Sequence, residues 1–581
     1  MWAGWLDAHL RLSGRRFALS LLSWAVARVT KLEKPLSRKL RIEHDLRVPM
    51  ADGVELLADR YAPDGGDGLP VVLIRTPYGR GGKDSRLYGE IFAQRGYQVV
   101  VQSCRGTFGS GGKWRPFQTD VEDGVATVEW LRRQPWFGGT IGMFGPSYLG
   151  FVQWAVAAEC PEEIRALSVQ VGTSQPRAMF YPGGCFSLRT MLAWTYLVGS
   201  QAKGLSDTRI KLARPFKLRG AFDRLPLADA DSDVLGEHFP FFQDLLASEA
   251  DAPLWQAMDV SDKVAPVTAA VLSVTGWYDI FLTGQFADYQ RLRQAGRQPQ
   301  LVVGPWGHTS LGWLGPVLRG TLRLFDTELR DIPGQAPENP VRVHLGGADE
   351  WLDLPDWPPP AETNRLHLHS SGGLRDEGPV ASQPSRYGYD PRDPTPAVGG
   401  NSDPGFGSHD NRKLEARADV LTYTTDPLPS DLDVVGTATA TLYVRSSLVD
   451  TDFFVRLCDV HGGRGKSINV SDGILHLGPD TGEQQPDGTR RVTIELWPTA
   501  HRFKKGHLLR VQISSGSHPR YARNLGSGEP LATATTSRVA EQEVFHDPEH
   551  PSAITIPVHR HDSRTPNAAS AASAASVSTD C

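Results

Sequence analysis

The sequence has little cysteine, no surplus of basic charge and no apolar run that could cross a membrane. Its five cysteines are scattered through 581 residues, without C-x-x-C or Cys/His spacing. We therefore expect free thiols in a reducing compartment and no metal site. The net charge of −5 and a pI near 6.4 give no electrostatic case for a nucleic-acid partner. Nothing in the composition requires an organic cofactor.

Residues 1–40 precede the main body of the chain, and we expect them to be helical. The apolar run Phe17 to Ala27 has 11 residues, whereas a bilayer span needs about 20. Arg15-Arg16 before this run resembles a twin-arginine export signal. Asp7 before the run and Arg28 directly after it favour a helix that packs on the body or lies at a membrane surface. The predicted location is cytoplasmic, with export as the alternative.

One short stretch places a serine between a predicted strand and a predicted helix. The strand covers 139–144 and the helix covers 148–160, so Ser147 occupies a sharp turn within Gly-Met-Phe-Gly-Pro-Ser-Tyr-Leu-Gly. Such a turn is the nucleophile elbow of α/β-hydrolases, which exposes the serine Oγ above the sheet. Ser147 is therefore the candidate nucleophile, and an ordinary surface-loop serine is the alternative.

Strands and helices alternate on both sides of this turn, which predicts a parallel α/β sheet. The chain is too long for one core, so we expect about three domains. Predicted sheet strands lie at 71–75, 97–102, 139–144, 166–171, 269–275 and 301–304. A hairpin with an Asp-Gly turn precedes them at 47–56, and predicted helices follow strands at 120–134 and 284–295.

A serine hydroxyl is a weak nucleophile and needs a base that is itself oriented by an acid. In α/β-hydrolases the acid and then the histidine follow the serine along the chain, each after a sheet strand. Asp279 follows the predicted strand 269–275, and His308 follows the predicted strand 301–304. The sequence therefore predicts that Ser147, Asp279 and His308 meet. A helix-capping Asp279 and a core His308 are the alternative.

The remaining segments predict a cap and a second domain. Helical spacing with many aromatic residues at 173–265 indicates a helical cap inserted into a hydrolase domain of residues 41–172 and 266–335. Short alternating runs predict a β-sandwich or jelly roll at 340–560. The Ala- and Ser-rich residues 561–581 predict a disordered tail.

Several motifs resemble those of the CocE/NonD hydrolases, the family of bacterial cocaine esterases, which is related to the S15 Xaa-Pro dipeptidyl-peptidases. The resemblance runs from about residue 41 to about 560. The matching pieces are 48–54 (Val-Pro-Met-Ala-Asp-Gly-Val), 75–78 (Arg-Thr-Pro-Tyr), Pro135-Trp136, 142–150, 276–279 (Gly-Trp-Tyr-Asp) and 304–308 (Gly-Pro-Trp-Gly-His).

The resemblance implies a hydrolase sheet, a helical cap, a C-terminal jelly roll and a set of functional residues. That set is a triad of Ser147, Asp279 and His308, an oxyanion hole of the Tyr78 hydroxyl and the Tyr148 backbone N–H, and an acyl-pocket aromatic at Phe281. Tyr78 follows the first buried strand, where a donor can face the serine loop.

One departure from the family concerns the loop at 103–107. The family often has Asp at the position of Ser103, so the pairing of Arg105 is in question. Cys104 beside Arg105 could have a lowered pKa, but we expect a buried, inert thiol.

The sequence leaves the substrate open. We predict an esterase or acylase acting on a small ester or amide, and the alternative is an Xaa-Pro dipeptidyl-peptidase acting on short peptides. A peptidase would need carboxylates for the free amino group. Candidates in the cap are Asp207, Asp223, Asp229, Asp231, Asp233 and Glu237, although a solvated acidic loop is the simpler interpretation.

A second alternative is a non-catalytic binding protein on a hydrolase scaffold. Trp351, Trp357 and Trp497 would then be platform residues, although burial in a core is the simpler expectation for them. The intact Ser, Asp, His and Tyr set favours an enzyme. A homodimer is left open.

Overall fold

The computed structural model describes residues 21–334, 337–402, 405, 407–462 and 465–560, without the side chain of residue 207. It contains a mixed sheet flanked by helices, a helical insertion and a C-terminal pair of antiparallel sheets. The predicted fold class, an α/β-hydrolase with a helical cap and a C-terminal β domain, is confirmed. The Arg15-Arg16 pair and the predicted tail at 561–581 lie outside the described residues.

The first sheet has ten strands in the order β1-β2-β4-β3-β5-β6-β7-β8-β9-β10. From β4 to β9 all neighbours are parallel, and β1, β2 and β10 add antiparallel edges. The strands are β1 Leu40–Pro49, β2 Glu55–Pro63, β3 Val71–Thr76, β4 Gln98–Ser103, β5 Ile141–Pro146, β6 Ile164–Gln170, β7 Ala270–Tyr278, β8 Gln300–Gly307, β9 Val341–Leu345 and β10 Glu350–Leu354.

The central strands are buried on both faces because helices cover the sheet. Every residue of β3 and β4 is buried, as expected for an apolar parallel strand. Arg75 is the one charged residue in these two strands. Its guanidinium donates to the Gln102 side chain at 2.9 Å and to the Asp120 backbone carbonyl at 2.8 Å. The helices of this domain are α2 Lys83–Ala93, α3 Asp120–Arg132, α4 Tyr148–Ala157, α11 Leu282–Gln294 and α12 Leu314–Arg330.

A helix, α1, covers residues 21–29 and precedes the first strand. Val26 and Leu32 pack against the hydrolase core, and Arg319 donates to the carbonyl of Thr30 at 2.5 Å. This part of the extension therefore packs on the body. Among the described residues, no helix combines the length and apolar composition that a bilayer span requires.

The cap lies between β6 and β7. Its apolar side chains join the core of the hydrolase domain, so cap and sheet share one buried cluster. The cap helices are α5 Arg177–Phe180, α6 Leu188–Ala202, α7 Asp207–Ala221, α8 Ala230–Leu235, α9 Pro240–Ala247 and α10 Pro253–Met258.

The C-terminal domain is a β-sandwich of a ten-stranded and a four-stranded antiparallel sheet around a separate core. The smaller sheet has the order β14-β22-β17-β18. The elements are β11 Glu362–Leu368, β12 Leu374–Arg375, β13 Ser385–Tyr389, α13 Arg412–Glu415, β14 Leu421–Thr424, β15 Leu432–Gly436, β16 Thr439–Ser446, β17 Thr451–Val460, β18 Ser467–Leu477, β19 Glu483–Gln484, β20 Arg490–Glu495, β21 Thr499–Phe503, β22 Leu508–Ser514, β23 Ala540–Phe545 and β24 Ala553–Val558.

Two strands from the segment predicted as β-sandwich, residues 340–560, join the hydrolase sheet. β9 pairs in parallel with β8, and β10 pairs with β9, so both strands extend this sheet. The strands of the β-sandwich begin with β11. A short alternating strand carries no local sign of which sheet it joins.

Candidate active site

Ser147 lies on a tight turn between β5 and α4. Its backbone has φ 62° and ψ −123°, a region that costs a non-glycine residue on the order of 1–3 kcal/mol. The Ser147 N–H donates to the Gln170 carbonyl at 2.9 Å, which ties the turn to β6. A Cβ on Gly172 would lie 2.9 Å from the Ser147 carbonyl oxygen, so a small residue is needed there. The turn holds the serine at the carboxyl end of the sheet.

His308 lies between the serine and an acid. Its Nε2 is 3.0 Å from Ser147 Oγ, and its Nδ1 is 2.8 Å from Asp279 Oδ2. Asp279 follows β7 and His308 follows β8, and these strands are parallel neighbours. The structure therefore brings together the three residues that chain order selected. With Nδ1–H donated to the carboxylate, Nε2 is free to accept the serine proton.

The Asp279 carboxylate is fully buried and held from two sides. Its Oδ1 accepts the Phe281 backbone N–H at 2.7 Å. Asn401, from the β-sandwich domain, donates to the carbonyls of Trp277 and Asp279 at 2.8 and 3.0 Å. The second domain thus fixes the strand end that carries the acid. No local motif in the sequence pointed to Asn401.

The Tyr78 side chain lies beside the serine, as the resemblance implied. Its hydroxyl accepts the Trp194 indole N–H at 3.1 Å, and the Ser147 side chain lies next to it. Burial raises the pKa of Tyr78 above its ordinary value, although the contacts with Trp194 and Ser147 oppose this shift. The phenol therefore stays protonated and can donate. Trp194 lies on α6 of the cap, and its role had no signal in the sequence beyond its aromatic character.

Tyr148 is the first residue of α4, so its backbone N–H has no acceptor within that helix. This N–H and the Tyr78 hydroxyl flank the same serine. The Tyr148 side chain is buried, donates to Asp120 Oδ2 at 2.6 Å and accepts the Phe117 N–H at 2.9 Å. Burial raises the pKa of both Tyr148 and Asp120. The ring therefore anchors the start of α4 and leaves the Tyr148 backbone N–H next to Ser147.

Aromatic rings surround the serine on the cap side. Phe281 packs on His308 with ring centroids 5.4 Å apart, and it is itself 6% exposed. Trp114 contacts both Trp194 and Phe239, with centroids 5.6 and 6.3 Å apart, and all three rings are partly exposed. These contacts form an aromatic wall next to the Tyr78 hydroxyl.

The acidic candidates of the cap are engaged elsewhere. Each described member pairs with a cation or donor: Asp223 with His518, Asp229 and Asp233 with Arg224, Asp231 with His238, and Glu237 with Lys203. The side chain of Asp207 lies outside the described residues. The described members form scattered pairs and not one cluster facing the serine.

The loop with Ser103 in place of Asp has its charges satisfied. Arg105 pairs with Asp123 at 2.5 Å and with Asp52 at 2.7 Å. Ser103 Oγ instead accepts the backbone N–H of Arg80 at 3.2 Å. Burial raises the pKa of the Cys104 thiol well above its usual range, as expected for an inert cysteine.

The three tryptophans considered as platform residues lie in packed surroundings. Trp357 and Trp497 are 4% and 6% exposed and belong to one apolar cluster. Trp351 is partly exposed and packs against Trp306, with centroids 6.0 Å apart. None of them forms an open platform.

The sheet order, the strand–serine–helix turn and the adjacent His and Asp define an α/β-hydrolase of the serine hydrolase class. A model of the X-Pro dipeptidyl-peptidase S15 family matches residues 52–310, and a model of the X-Pro dipeptidyl-peptidase C-terminal non-catalytic domain matches 333–555. A cocaine esterase from Rhodococcus sp. is 32% identical over 571 residues, covering 89% of this chain and 98% of that protein. The chain belongs to the CocE/NonD family of serine hydrolases.

Solved structures share the fold. An α-amino acid ester hydrolase superposes with a TM-score of 0.77 at 24% identity, covering 91% of this chain and 98% of that one. An aminopeptidase from a Thaumarchaeota archaeon gives the same values. A CocE/NonD family hydrolase from Staphylococcus aureus has a TM-score of 0.66 at 19% identity, covering 90% and 94%. At these identities the likeness concerns the fold.

Proposed function

We propose that Ser147, His308 and Asp279 form the catalytic triad and that Tyr78 and the Tyr148 N–H form the oxyanion hole. The observation that carries this proposal is the 3.0 Å contact between His308 Nε2 and Ser147 Oγ. Phe281 packs on the His308 ring and borders the acyl pocket. Residues 41–172 and 266–354 supply this chemistry, and the insertion 173–265 adds Trp194 and Phe239 to the aromatic wall. The β-sandwich from 362 to 560 supports the strand end at Asp279.

Acylation begins when His308 Nε2 takes the proton from Ser147 Oγ. The oxygen bonds to the substrate carbonyl carbon, and the carbonyl oxygen becomes an oxyanion. Tyr78 O–H and the Tyr148 N–H donate to this oxyanion, and one such donor is worth roughly 3 kcal/mol in the transition state. The bond to the leaving group then breaks, and His308 returns its proton to the leaving oxygen or nitrogen. Asp279 stabilises the imidazolium throughout.

Deacylation repeats the sequence with water. His308 takes a proton from the water molecule as its oxygen attacks the acyl carbon. The same two donors hold the second oxyanion. The bond between Ser147 Oγ and the acyl carbon breaks, and the proton on His308 returns to the serine.

We propose an ester with an aromatic or otherwise apolar acyl group as the substrate. Trp114, Trp194 and Phe239 give the acyl group an apolar contact surface. The carboxylates of Asp120 and Asp279 beside the site are already engaged, by Tyr148 and by His308. A free amino group would find no uncommitted counter-charge in either of them. The cocaine esterase relative supports ester cleavage.

The competing candidate is an Xaa-Pro dipeptidyl-peptidase, and the S15 family match favours it. We would compare kcat/KM for p-nitrophenyl acetate, butyrate and benzoate with that for Gly-Pro and Ala-Pro p-nitroanilides. The proposal expects ester turnover, highest for the apolar acyl groups, and none in Ser147→Ala. Anilide turnover that requires a free amino terminus would instead support the peptidase.

We further propose a reducing, cytoplasmic setting. The four described cysteines, Cys104, Cys160, Cys185 and Cys458, are buried free thiols, which suits such a compartment. Cell fractionation of the native host tests this, and recovery in an extracellular or periplasmic fraction would contradict it.

A further inference from the structure

A second cluster of ionisable side chains lies in the β-sandwich domain, outside the serine site. Asp459, His461 and His507 each offer one ligand atom, and these atoms lie within 4.8 Å of one another. The three side chains line a cavity of about 480 Å³. Trp277 and Tyr278, at the end of β7, line the same cavity, so it lies where the two domains meet.

Strand register explains why these residues meet. β17 pairs with β22 so that Asp459 stands opposite Leu509 and Val460 opposite Leu508. Continuing this register by one residue places His461 opposite His507. Residues two apart on a strand point to the same face, so Asp459 and His461 share the face that His507 joins. The cluster thus follows from pairing between distant strands, which spacing along the chain cannot reveal.

The Asp459 carboxylate is oriented by two imidazoles. Its Oδ1 is 2.8 Å from His507 Nδ1, and its Oδ2 is 3.0 Å from His501 Nε2. Asp459 is almost fully buried. The direction of both carboxylate oxygens is therefore fixed by these contacts.

His461 completes the cluster from the loop after β17. Its ring stacks on that of His507, with centroids 4.6 Å apart and an interplanar angle of 30°. Its backbone N–H donates to the Lys466 carbonyl at 2.9 Å, which closes the loop. Two imidazoles and one carboxylate therefore converge on one point beside a cavity large enough for solvent.

We propose that Asp459, His461 and His507 bind a zinc-type divalent transition-metal ion, with water from the cavity as a fourth ligand. Two imidazole nitrogens and a carboxylate oxygen suit Zn²⁺ better than Mg²⁺ or Ca²⁺, which favour oxygen ligands. Bonds of about 2.0 Å place tetrahedral ligand atoms roughly 3.3 Å apart, so the rings need to move by about 1 Å. His501 holds the carboxylate as an outer partner.

Metal binding would change the hydrogen bond between His507 and Asp459. His507 Nδ1–H now donates to Asp459, and this proton must leave Nδ1 if that atom binds the ion. Lys504, which lines the same cavity, adds a positive charge that opposes the metal.

Titration calorimetry with ZnCl₂ on the untagged, chelator-treated full-length chain tests the proposal. We expect one ion per chain, and His461→Ala and His507→Ala each weaken binding by at least about tenfold. His44→Ala is the matched control, because His44 also pairs with an aspartate, Asp59, at 2.9 Å but belongs to no cluster of three ligands among the residues that the structure describes. Thermal melting curves, recorded with chelator present so that no metal is bound, establish that each variant is folded.

Three results would overturn the site. The first is Zn²⁺ binding that is equally tight in the wild type, His461→Ala and His507→Ala. The second is the absence of a stoichiometric Zn²⁺ site in the wild type. The third is tighter binding of Mg²⁺ or Ca²⁺ than of Zn²⁺. A visible spectrum of tetrahedral Co²⁺ in the wild type that His461→Ala abolishes would support the same three ligands.

Discussion

At the scale of single residues, the indole of Trp194 decides how the Tyr78 hydroxyl is used. The indole N–H occupies a lone pair of the phenol oxygen, so the phenol proton is left to point elsewhere. The Ser147 side chain is a neighbour of the same hydroxyl. A side chain of the cap therefore orients a donor that belongs to the sheet domain.

Replacing Tyr78 by Phe removes this donor and keeps the ring. We expect kcat for a p-nitrophenyl ester to fall by about 100- to 1000-fold with little change in KM, since the lost bond acts mainly in the transition state. Trp194→Phe, which removes the orienting N–H together with the smaller ring of the indole, is expected to have a smaller effect. A loss in Tyr78→Phe of less than about tenfold would remove Tyr78 from the oxyanion hole.

Chain order predicted that three residues would lie close together, and the structure brings these three together. Ser147, Asp279 and His308 each follow a strand of a parallel sheet, and such strand ends meet at one edge. Trp194 and Asn401 could not be found in this way. They reach the site from the cap and from the second domain, and their placement depends on tertiary packing that no local pattern encodes.

At the scale of elements, the turn between β5 and α4 tolerates little change. Gly145 has φ 151°, and a Cβ there would lie 2.4 Å from the Leu149 Cβ. Gly145→Ala must therefore shift the start of α4, which carries the Tyr148 N–H. We expect loss of most ester turnover and a lower melting temperature. Gly378→Ala is the control, because nothing lies within 4 Å of its added methyl group. Normal activity in Gly145→Ala would contradict this account of the turn.

A buried ion cluster joins β17 to β18. Asp472 stands opposite Arg456 across the two strands, and its carboxylate contacts Arg456 at 3.0 Å and Arg520 at 2.7 Å. Burial acts to raise the pKa of Asp472, but Arg520 and Arg456 outweigh it and lower the pKa below 3.8. This stabilisation is present above the unfolded pKa and is lost as the pH falls through the lower folded value.

Asp472→Asn leaves two buried guanidinium groups without their counter-charge. We expect the β-sandwich to lose roughly 3–5 kcal/mol of stability at pH 7, as for other broken buried pairs. The gap in melting temperature between wild type and variant should shrink as the pH drops below about 4. Asp390→Asn, in an exposed pair with Arg392, serves as control with no measurable change expected. A difference in melting temperature between wild type and Asp472→Asn that does not change with pH would contradict the stabilising role of the ionised Asp472.

The sequence predicted where the strands lie, but it did not predict which sheet each strand joins. Continuous apolar runs located β3 and β4 within one residue of their observed bounds. The pairing of β9 and β10 with the hydrolase sheet was not predicted, because alternation shows that one face of a strand is buried but not which sheet it joins. The cluster of Asp459, His461 and His507 was not predicted for a related reason, because it depends on the pairing register between β17 and β22.

At the scale of the whole molecule, the β-sandwich acts on the serine site through Asn401. This residue bonds two carbonyls at the end of β7 and so sets the direction of Asp279. We expect Asn401→Ala to lower kcat by about 10- to 100-fold with KM little changed, because small misplacements of a catalytic group are costly. Fluorophosphonate labelling should slow in parallel. Asn364→Ala, on β11, is the control, and equal rates in the two variants would show that the domains are catalytically independent.

The account rests on Ser147 as the nucleophile that forms the acyl-enzyme. The most direct measurement is intact-mass and peptide analysis after labelling the full-length chain with a fluorophosphonate. The account predicts one adduct per chain, located on the peptide that contains Ser147, and none in Ser147→Ala. An adduct on another serine, or equal labelling of Ser147→Ala, would contradict it.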